Sequence, residues 1–379
     1  MMRLTDNQEA LYAAVQEFAQ KELAPYTTEL DECEGWNAKA FSHLGDLGFL
    51  GITLAQKWGG AELGCLEMTL ALQALAESCA STALSVLAHS VLCANNLQEN
   101  ASEAQKAKVL PQLAQGKYVG GMAMTEPGAG SDAFNMQLKA VPTQNGYLLN
   151  GTKMFITNGP IADVMLVYAR TGSERYDLST FLVFQGTQGY SVGKKLKKMG
   201  MRASPTSELI FENCFVPLEN RIGKENESRQ HMLRNLNIER ITISGIALGI
   251  GKAALKATIA YIQERHQFGK SLSQFQMVQA TLANMQTAWE AAHSLVYQCA
   301  QAYDAGKRDG SLGAQAKLCS AQMATQVALD AVQLFGGYGY MKEYPVERLV
   351  RDAKLLEIGA GTNEVMKMIV AKELCGVHE

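Results

Sequence analysis

Proline, glycine and charged residues are all too scarce in this sequence for a fibrous or disordered protein. Its 379 residues include 8 prolines and 34 glycines, and the 19% that are charged leave a formal net charge of -3. Collagen, mucin-like stalks and disordered tails contain far more proline, glycine or charge. Apolar residues make up 47% of the chain, so we expect a folded protein of two or three domains.

Long basic and long apolar runs are also lacking. The longest basic block is residues 194–198, which argues against a dedicated nucleic-acid binder. The longest apolar stretch, residues 241–251, is shorter than the ~18 residues that suggest a membrane span. The first residues show neither the apolar core of a signal peptide nor an arginine-rich transit segment. A cytoplasmic protein without a membrane span is therefore expected.

The cysteines and histidines show no clustering. The eight cysteines are scattered without a C-x-x-C pair, and the six histidines lie apart from one another. Metal sites and disulfide frameworks need closer or more regular spacing. We expect reduced, mostly buried thiols and no metal.

The texture of the chain divides it into three parts. Residues 1–117 show helical periodicity, including one long apolar helical stretch at 67–97 and another helix starting at Pro111. Residues 118–227 contain short β-branched and aromatic runs at 147–149, 154–157, 164–168, 180–184 and 209–211, with turn signals at Asn145-Gly146 and Asn150-Gly151. Residues 228–379 are helical again, with helices predicted at 228–266, 272–305, 311–335, 343–354 and 362–375. The prediction is a helical domain, a β barrel or sandwich, and a helical bundle.

A glycine-rich segment follows the first strand of the β region. Residues 128–133 match the dinucleotide fingerprint G-x-G-x-x-A, but that mechanism needs a helix next and an acidic residue near position 150. An alternating strand pattern follows instead, so a Rossmann site is rejected. In its longer form, residues 122–132, the segment is a strand and a turn whose backbone N–H groups and hydroxyls suit a polar ring edge or a phosphate. Taken alone, however, the segment is better explained as an ordinary β-turn.

Five segments in order resemble the signatures of the acyl-CoA dehydrogenase family, flavoenzymes that oxidise acyl-CoA thioesters. They are Thr-Glu-Pro-Gly-Ala-Gly-Ser-Asp at 125–132, Phe-Ile-Thr-Asn-Gly at 155–159, Arg-His-Gln-Phe-Gly at 265–269, Gln-Leu-Phe-Gly-Gly-Tyr-Gly-Tyr at 333–340, and Arg351-Asp352 with Gly-Thr-Asn-Glu at 361–364. The resemblance covers essentially the whole chain. It implies a mainly α fold with a central β domain: an N-terminal helical domain (1–117), a middle β-barrel domain (118–227) and a C-terminal four-helix bundle (228–379).

The resemblance also implies an FAD site. Thr125 and Ser131 would hold the flavin ring and ribityl chain, Phe155 would pack on the flavin, and Thr157 would hydrogen-bond near its N5. Arg265 and Gln276 would contact the pyrophosphate of a neighbouring subunit's FAD, since a guanidinium suits that group. The full implied cofactor set is Met122, Met124, Thr125, Gly130, Ser131, Phe155, Ile156, Thr157, Arg265, Phe268, Gln276, Gln333, Leu334, Gly336, Gly337, Thr362, Asn363 and Glu364.

The general base departs from the commonest family pattern. Most members have a glutamate just before the Gly-Thr of the last motif, where this chain has Ala360, and alanine cannot be a base. The isovaleryl-CoA and long-chain branches carry the base on an earlier helix, and Glu239 matches that position. Glu239 among apolar residues would be partly desolvated, which raises a carboxylate pKa. The alternative is an exposed glutamate paired with Arg240 or Lys224.

The same loop bears on the substrate. Gly359 and Ala360 are small where common members have tyrosine and glutamate, which leaves room near the third acyl carbon. The isovaleryl-CoA branch has the same Gly-Ala-Gly-Thr string, so a short branched acyl-CoA is the expected substrate, although Leu356 stands where that branch has tyrosine. The implied substrate-binding residues are Ser131, Asn237, Arg240, Gly359, Ala360 and Gly361.

Partners and rival functions follow from the same resemblance. It implies electron transfer to an electron-transfer flavoprotein and assembly as a homotetramer. An acyl-CoA oxidase is one rival, although such chains are usually much longer. A dehydrogenase acting on acyl or aminoacyl groups bound to a carrier protein is another. A non-catalytic FAD- or acyl-CoA-binding scaffold, suggested only by Ala360, is the third.

Overall fold

The N-terminal part of the chain is helical, as predicted. The computed structural model describes residues 3–377. The helices before the sheet are α1 Asp6–Phe18, α2 Thr27–Cys33, α3 Ala38–Asp46, α4 Cys65–Ala76, α5 Ala80–Leu87, α6 Asn96–Asn100 and α7 Glu103–Ala114. Capping boxes fix the starts of α1, by Thr5 with Gln8, and of α7, by Ser102 with Gln105.

Two details of this helical region differ from the prediction. The stretch 67–97 is not one helix, because Cys79 adopts an extended backbone between α4 and α5, and the hydroxyl of Thr27 binds the carbonyl of Ser78 at 3.1 Å. Pro111 does not start a helix but lies inside α7. The Ser102 cap sets the start upstream, and a proline late in a helix removes only one intrahelical hydrogen bond.

Eight strands form one sheet in the middle of the chain. They are β1 Gly120–Ala123, β2 Lys139–Thr143, β3 Gly146–Thr157, β4 Val164–Arg170, β5 Leu178–Phe184, β6 Tyr190–Lys195, β7 Thr206–Pro217 and β8 Arg221–Ile222. The strand order is β6-β7-β3-β2-β4-β5-β8, and β1 pairs with β4 in parallel. One face covers an apolar core that includes Leu149, Val167 and Phe211.

The two turn signals have different outcomes. Asn145-Gly146 joins β2 to β3 as a hairpin, in which Thr143 faces Gly146. Asn150-Gly151 is not a turn but lies within β3, where the register against β7 shifts between Leu149 and Gly151. Gly151 has φ +141°, a conformation that glycine adopts readily at a β-bulge.

Long helices return after the sheet, as predicted. They are α8 Ser228–Glu264, α9 Gln276–Asp304, α10 Gly310–Phe335, α11 Val346–Leu356 and α12 Asn363–Leu374, with a hairpin of β9 His266–Gln267 and β10 Lys270–Ser271 between α8 and α9. Helix α8 packs against α4 at Gly245, where an added Cβ would lie 2.4 Å from the carbonyl oxygen of Thr69. A glycine is therefore needed for this close approach.

Helix α8 extends well beyond the apolar stretch at residues 241–251 that lies within it. By length and composition it could cross a membrane, but 67% of its most apolar stretch is buried inside the protein, as in the core helix of a folded domain. Its residues Ile241, Ile246 and Leu248 belong to the main apolar core. The helix therefore runs through the interior and positions the side chains at its N-terminal third.

Candidate active site

Glu239 is a buried carboxylate on α8. Glu239 is only 6% exposed, and its Oε2 has no hydrogen-bond partner within residues 3–377. Burial raises the pKa of Glu239 to about 7, against the opposing positive charges of Arg240 and Lys317. The alternative of an exposed, ion-paired glutamate does not hold, since Glu239 is buried, Lys224 pairs with Glu227 at 3.5 Å, and Arg240 directs its Nε to the carbonyl of Ala360. A carboxylate that titrates near neutrality is suited to general-base chemistry.

The loop between α11 and α12 faces the same region. Arg240, next to Glu239, donates from Nε to the carbonyl of Ala360 at 3.4 Å. Lys317, on α10, donates from Nζ to the carbonyl of Gly361 at 2.7 Å and to Oδ1 of Asn363 at 3.2 Å. Three predicted substrate-site residues, Arg240, Ala360 and Gly361, therefore come together as expected. Sequence reasoning missed Lys317, because nothing in its helical pattern marks it.

The glycine-rich turn after β1 is open on one side. Glu126 and Ala129 exchange backbone hydrogen bonds of 3.1 and 3.2 Å, which closes the turn. A Cβ added at Gly128 or Gly130 would meet nothing within 4 Å, so the space beside the turn is free for a ligand. Thr125 accepts from the backbone N–H of Met154 at 2.8 Å, which places the turn beside β3.

A buried ion pair anchors this turn, and the sequence did not reveal it. Lys153, which is 0% exposed, donates to Glu126 at 2.8 Å and to the carbonyl of Met124 at 2.9 Å. Glu126 also accepts from the backbone N–H groups of Gln137 and Leu138 at 2.5 and 2.9 Å. Burial lowers the pKa of Lys153 to about 8, although Glu126 opposes the shift. The pair holds residues 124–126 rigidly against β3.

The end of β3 exposes an aromatic ring beside the turn. Phe155 has φ +60° and is 65% exposed, an unusual state for a large apolar residue. Asn158, also at positive φ, is fully buried and donates to the carbonyls of Ser85 and Gly120 at 3.0 Å. The side chain of Ile156 lies in the core of the sheet, so only its backbone can face a ligand. Exposed Phe155 and the open turn fit a flat ring such as a flavin.

The predicted cofactor residues of the 265–276 and 333–337 segments lie at the other end of α8. A pocket of about 490 Å³ there is lined by Arg265, Leu334, Gly336 and Gly337, among others. Phe268 is 93% exposed at the tip of the β9–β10 hairpin, and exposed Gln276 begins α9. Gln333 is likewise exposed. A guanidinium beside open glycine backbone suits a pyrophosphate.

The residues around the glycine-rich turn and those around Arg265 are far apart within one chain. Asn235 on α8 donates to Sδ of Met122, in the strand that leads into the turn, at 3.6 Å. Asn235 and Glu264 are 29 residues apart on α8, which at ~1.5 Å per residue places them about 44 Å apart. This distance exceeds the extent of one FAD molecule. The structure therefore brings together the turn, Phe155 and Thr157, and separately Arg265 with Leu334, Gly336 and Gly337, but not both groups in one chain.

Residues of the last motif have roles inside the chain as well. The hydroxyl of Thr362 accepts from the N–H of Val365 at 3.3 Å and caps α12. Asn363 is buried against Lys317, whereas Glu364 is exposed. Of the three, Glu364 is the one whose side chain is open to a ligand.

A second, basic pocket lies about one turn before Glu239 on α8. Its volume is about 260 Å³, and it is lined by Arg234, Asn237, Tyr303 and Arg308. Asn237 donates to the carbonyl of Arg308 at 3.3 Å, and the Arg308 guanidinium lies 5.2 Å from the Tyr303 ring centre. Asn237 was predicted as a substrate residue, but the two arginines were not. Two guanidinium groups beside an aromatic ring suit an anionic, ring-bearing ligand.

Comparison with known protein families gives a match along most of the chain. Acyl-CoA dehydrogenase sequence models match residues 5–117 (N-terminal domain), 121–214 (middle domain) and 229–375 (C-terminal domain). The chain belongs to the acyl-CoA dehydrogenase family. As an acyl-CoA dehydrogenase it is an FAD-dependent oxidoreductase acting on CH–CH donors, and the predicted three-part fold is confirmed. The interpretation as a non-catalytic scaffold is therefore dropped.

Curated relatives of this acyl-CoA dehydrogenase act on short or branched chains. The mitochondrial isovaleryl-CoA dehydrogenase of Pongo abelii is 44% identical over 97% of this chain and 89% of its own. The short-chain-specific acyl-CoA dehydrogenase of Clostridium acetobutylicum is 41% identical over 98% of both chains. Two substrate classes are thus represented at similar identity, which does not fix the acyl chain.

Solved structures agree with the fold of this acyl-CoA dehydrogenase. Butyryl-CoA dehydrogenase from Megasphaera elsdenii has a TM-score of 0.97 and 38% identity, covering 99% of this chain and 100% of that one. A chain in the structure described as the electron transferring flavoprotein of Acidaminococcus fermentans also has a TM-score of 0.97, with 40% identity and 99% coverage of both. The FAD complex of PigA has a TM-score of 0.95 and 32% identity, covering 100% and 99%.

Proposed function

We propose that this acyl-CoA dehydrogenase oxidises a short, branched acyl-CoA, with isovaleryl-CoA as the first candidate, to the corresponding 2-enoyl-CoA. The observation that supports the proposal is that the chain has both a buried Glu239 and the small residues Gly359 and Ala360. The isovaleryl-CoA dehydrogenases among its relatives support the same choice.

The loop at Gly359 supports a wide rather than a deep acyl site. A Cβ added at Gly359 would meet its nearest atom, the carbonyl oxygen of Leu355, only at 3.5 Å, so the position is not crowded. Leu356 is 1% exposed in the apolar core. We infer that the extra methyl of a branched chain uses the width beside residues 359 and 360.

In the proposed reaction Glu239 removes the α-proton of the thioester. Its unpartnered Oε2 and raised pKa suit that role. The backbone N–H of Ala360 donates to the thioester carbonyl, which stabilises the negative charge that develops as the proton leaves. FAD, when bound, supplies the acceptor for the hydride from the β-carbon. The residues that would hold its flavin end are Met122, Met124, Thr125, Gly130, Ser131, Phe155 and Thr157.

The basic pocket gives the CoA portion a place to bind. Arg234 and Arg308 line it together with Asn237, which lies two residues before Glu239 on α8. We propose that these side chains bind the anionic nucleotide end of CoA, with the thioester reaching toward Glu239. Guanidinium groups suit phosphates because their charge is permanent and their donors are paired.

We further propose that two subunits share each FAD site, in a homotetramer. The support is the distance along α8 between the Glu239 and Arg265 groups and the exposure of Phe268. Electron-transfer flavoprotein is the proposed acceptor, in line with the similarity to a chain in a structure of such a protein. A cytoplasmic location agrees with the eight unpaired cysteines.

Anaerobic flavin bleaching tests the substrate. The purified holoenzyme is mixed, at equal subsaturating concentration, with straight and branched acyl-CoAs and with an acyl group on a carrier protein. Isovaleryl-CoA should reduce the flavin fastest, and one methyl or methylene should change the rate constant by about 10- to 200-fold. Faster reduction by octanoyl-CoA, palmitoyl-CoA or the carrier-bound group would overturn the proposal, while the family assignment would stand.

A further inference from the structure

A buried ammonium group lies beside the proposed active site without a part in the chemistry described above. Lys317 is 1% exposed. Its Nζ binds the Gly361 carbonyl and Oδ1 of Asn363, and no ion pair to it is found within residues 3–377. A cation is rarely buried without a purpose that offsets its desolvation.

The backbone that Lys317 holds has an unusual shape. Ala360 has φ +56° and Gly361 has φ +90°. Alanine at positive φ is disfavoured by its Cβ and persists only where the surroundings fix it. Lys317 holds the Gly361 carbonyl, Arg240 holds the Ala360 carbonyl, and the N–H of Gly359 binds the Leu355 carbonyl at 2.8 Å.

The peptide unit between Gly359 and Ala360 lies between these fixed units. It carries the N–H of Ala360, for which no protein acceptor is found within residues 3–377. The direction of this N–H depends on the backbone conformation of Ala360 and Gly361. A donor aimed in advance is what stabilisation of a developing oxyanion requires.

We propose that Lys317 is a positioning residue, which holds residues 360 and 361 in the left-handed conformation that aims the Ala360 N–H at the thioester carbonyl. The inference rests on the proposed function, because it takes that N–H as the donor to the substrate. Lys317 does not touch the substrate but acts through the Gly361 carbonyl.

The groups that face Lys317 come from α8, from α12 and from the residue that follows α11. They are Glu239 and Arg240 on α8, Glu357 at the end of α11, and Glu364 on α12. Burial and Arg240 lower the pKa of Lys317 to about 8, and the three glutamates oppose this. The amine is thus largely charged at neutral pH and loses its charge in mildly alkaline solution.

The test measures polarisation of the carbonyl directly. Acetyl-CoA labelled with ¹³C at its thioester carbonyl has no β-carbon to oxidise, so its carbonyl stretch can be followed in the holoenzyme by isotope-edited infrared spectroscopy. In Lys317→Met the stretch of bound acetyl-CoA should move back toward its value in water. Lys317→Gln, which retains a donor without charge, should lie between. Lys256→Met, at an exposed lysine of α8, should match the wild type.

Kinetics provide the second readout. With the best acyl-CoA of the panel, Lys317→Met should lower kcat by about 10- to 100-fold, less than the 10²–10³ typical of deleting an oxyanion donor itself, with KM nearly unchanged. An unshifted carbonyl stretch in Lys317→Met with acetyl-CoA bound would overturn the inference. So would a loss confined to KM.

A pH titration needs no change at position 317. In Glu239→Gln, which removes the other group titrating near neutrality, the stretch of bound acetyl-CoA should rise as the pH passes from 7 to about 9.5. A flat profile would also overturn the inference. None of these acetyl-CoA measurements depends on Glu239 being the base, so failure of the proposed function would be seen separately, as flavin reduction at the wild-type rate in Glu239→Gln.

Discussion

Glu239 shows how one side chain can acquire reactivity from its surroundings. Its carboxylate is buried on a helix between apolar residues, with one oxygen unpartnered, and burial disfavours the charged form. The neighbouring Arg240 directs its Nε to the Ala360 carbonyl. The charge on Glu239 is therefore left incompletely compensated, which suits a base that must bind and release a proton.

Replacing Glu239 by glutamine should abolish flavin reduction while leaving the cofactor and substrate sites intact. Loss of a general base typically costs about 10²–10⁴ in rate, and loss of the only base costs more. Stopped-flow absorbance with isovaleryl-CoA measures the reduction, and the FAD content and acyl-CoA affinity serve as controls. Reduction near the wild-type rate would rule out Glu239 as the base.

The raised pKa of Glu239 predicts the acid side of the pH profile. The base must be ionised, so kcat/KM should fall about tenfold per pH unit below the pKa of about 7. It should decline again above about pH 8, where Lys317 loses its charge. Steady-state rates with an artificial electron acceptor give this profile. A midpoint near the ordinary glutamate value would show that the base is solvated or lies elsewhere.

At the scale of elements, helices and strands could be predicted where periodicity is strong, as in α8, α9, β4 and β5. Pairings that depend on strand register could not. Lys153 and Glu126 are 27 residues apart, and only the alignment of β3 beside the turn brings them together. The predicted turn at Asn150-Gly151 was wrong for another reason, because the same dipeptide suits both a tight turn and a β-bulge.

Some residues of the candidate site could likewise be predicted from the sequence, and others could not. Glu239 and the glycine-rich turn could be found from motifs, since each motif is local in sequence. Lys317, Arg234 and Arg308 could not, because their significance comes from α10 and the segment after α9 packing near α8. The domain boundaries at 117 and 227 stay predictions.

The loop between α11 and α12 predicts how chain preference can be changed. Gly359→Tyr should fill the width beside the acyl group, because the position is uncrowded, so that a branched methyl clashes while a straight chain passes. The ratio of kcat/KM for isovaleryl-CoA to butyryl-CoA should fall by about 10-fold or more. Lys256→Tyr, at an exposed position of α8, controls for a bulky change elsewhere. An unchanged ratio would exclude Gly359 from the acyl site.

At the scale of the whole molecule, α8 determines how the parts cooperate. It carries Glu239 in its N-terminal third, runs through the main core, and ends just before Arg265, which lines the pocket shared with Leu334, Gly336 and Gly337. The exposed Phe268 and Met277, 93% and 79% exposed, lie next to that pocket in sequence. Large exposed apolar side chains in one region are typical of an interface.

Arg265→Ala should weaken FAD retention and assembly together, because a ligand bound across an interface stabilises that interface. Analytical ultracentrifugation and the flavin-to-protein absorbance ratio measure the two effects on one sample. Arg3→Ala, at an exposed arginine before α1, is the matched control. A monomeric wild-type protein that retains full FAD would contradict the shared site.

The length of α8 has a genetic consequence under the proposed arrangement. A Glu239→Gln chain inactivates the site to which it contributes the base, but its intact Arg265 still contributes to the FAD site of the neighbouring subunit. An Arg265→Ala chain has the opposite defect, so a mixed pair rebuilds one complete site from two faulty copies. Co-expression of these two inactive variants should therefore restore part of the activity by complementation, whereas two variants within the same half of the helix should not rescue each other.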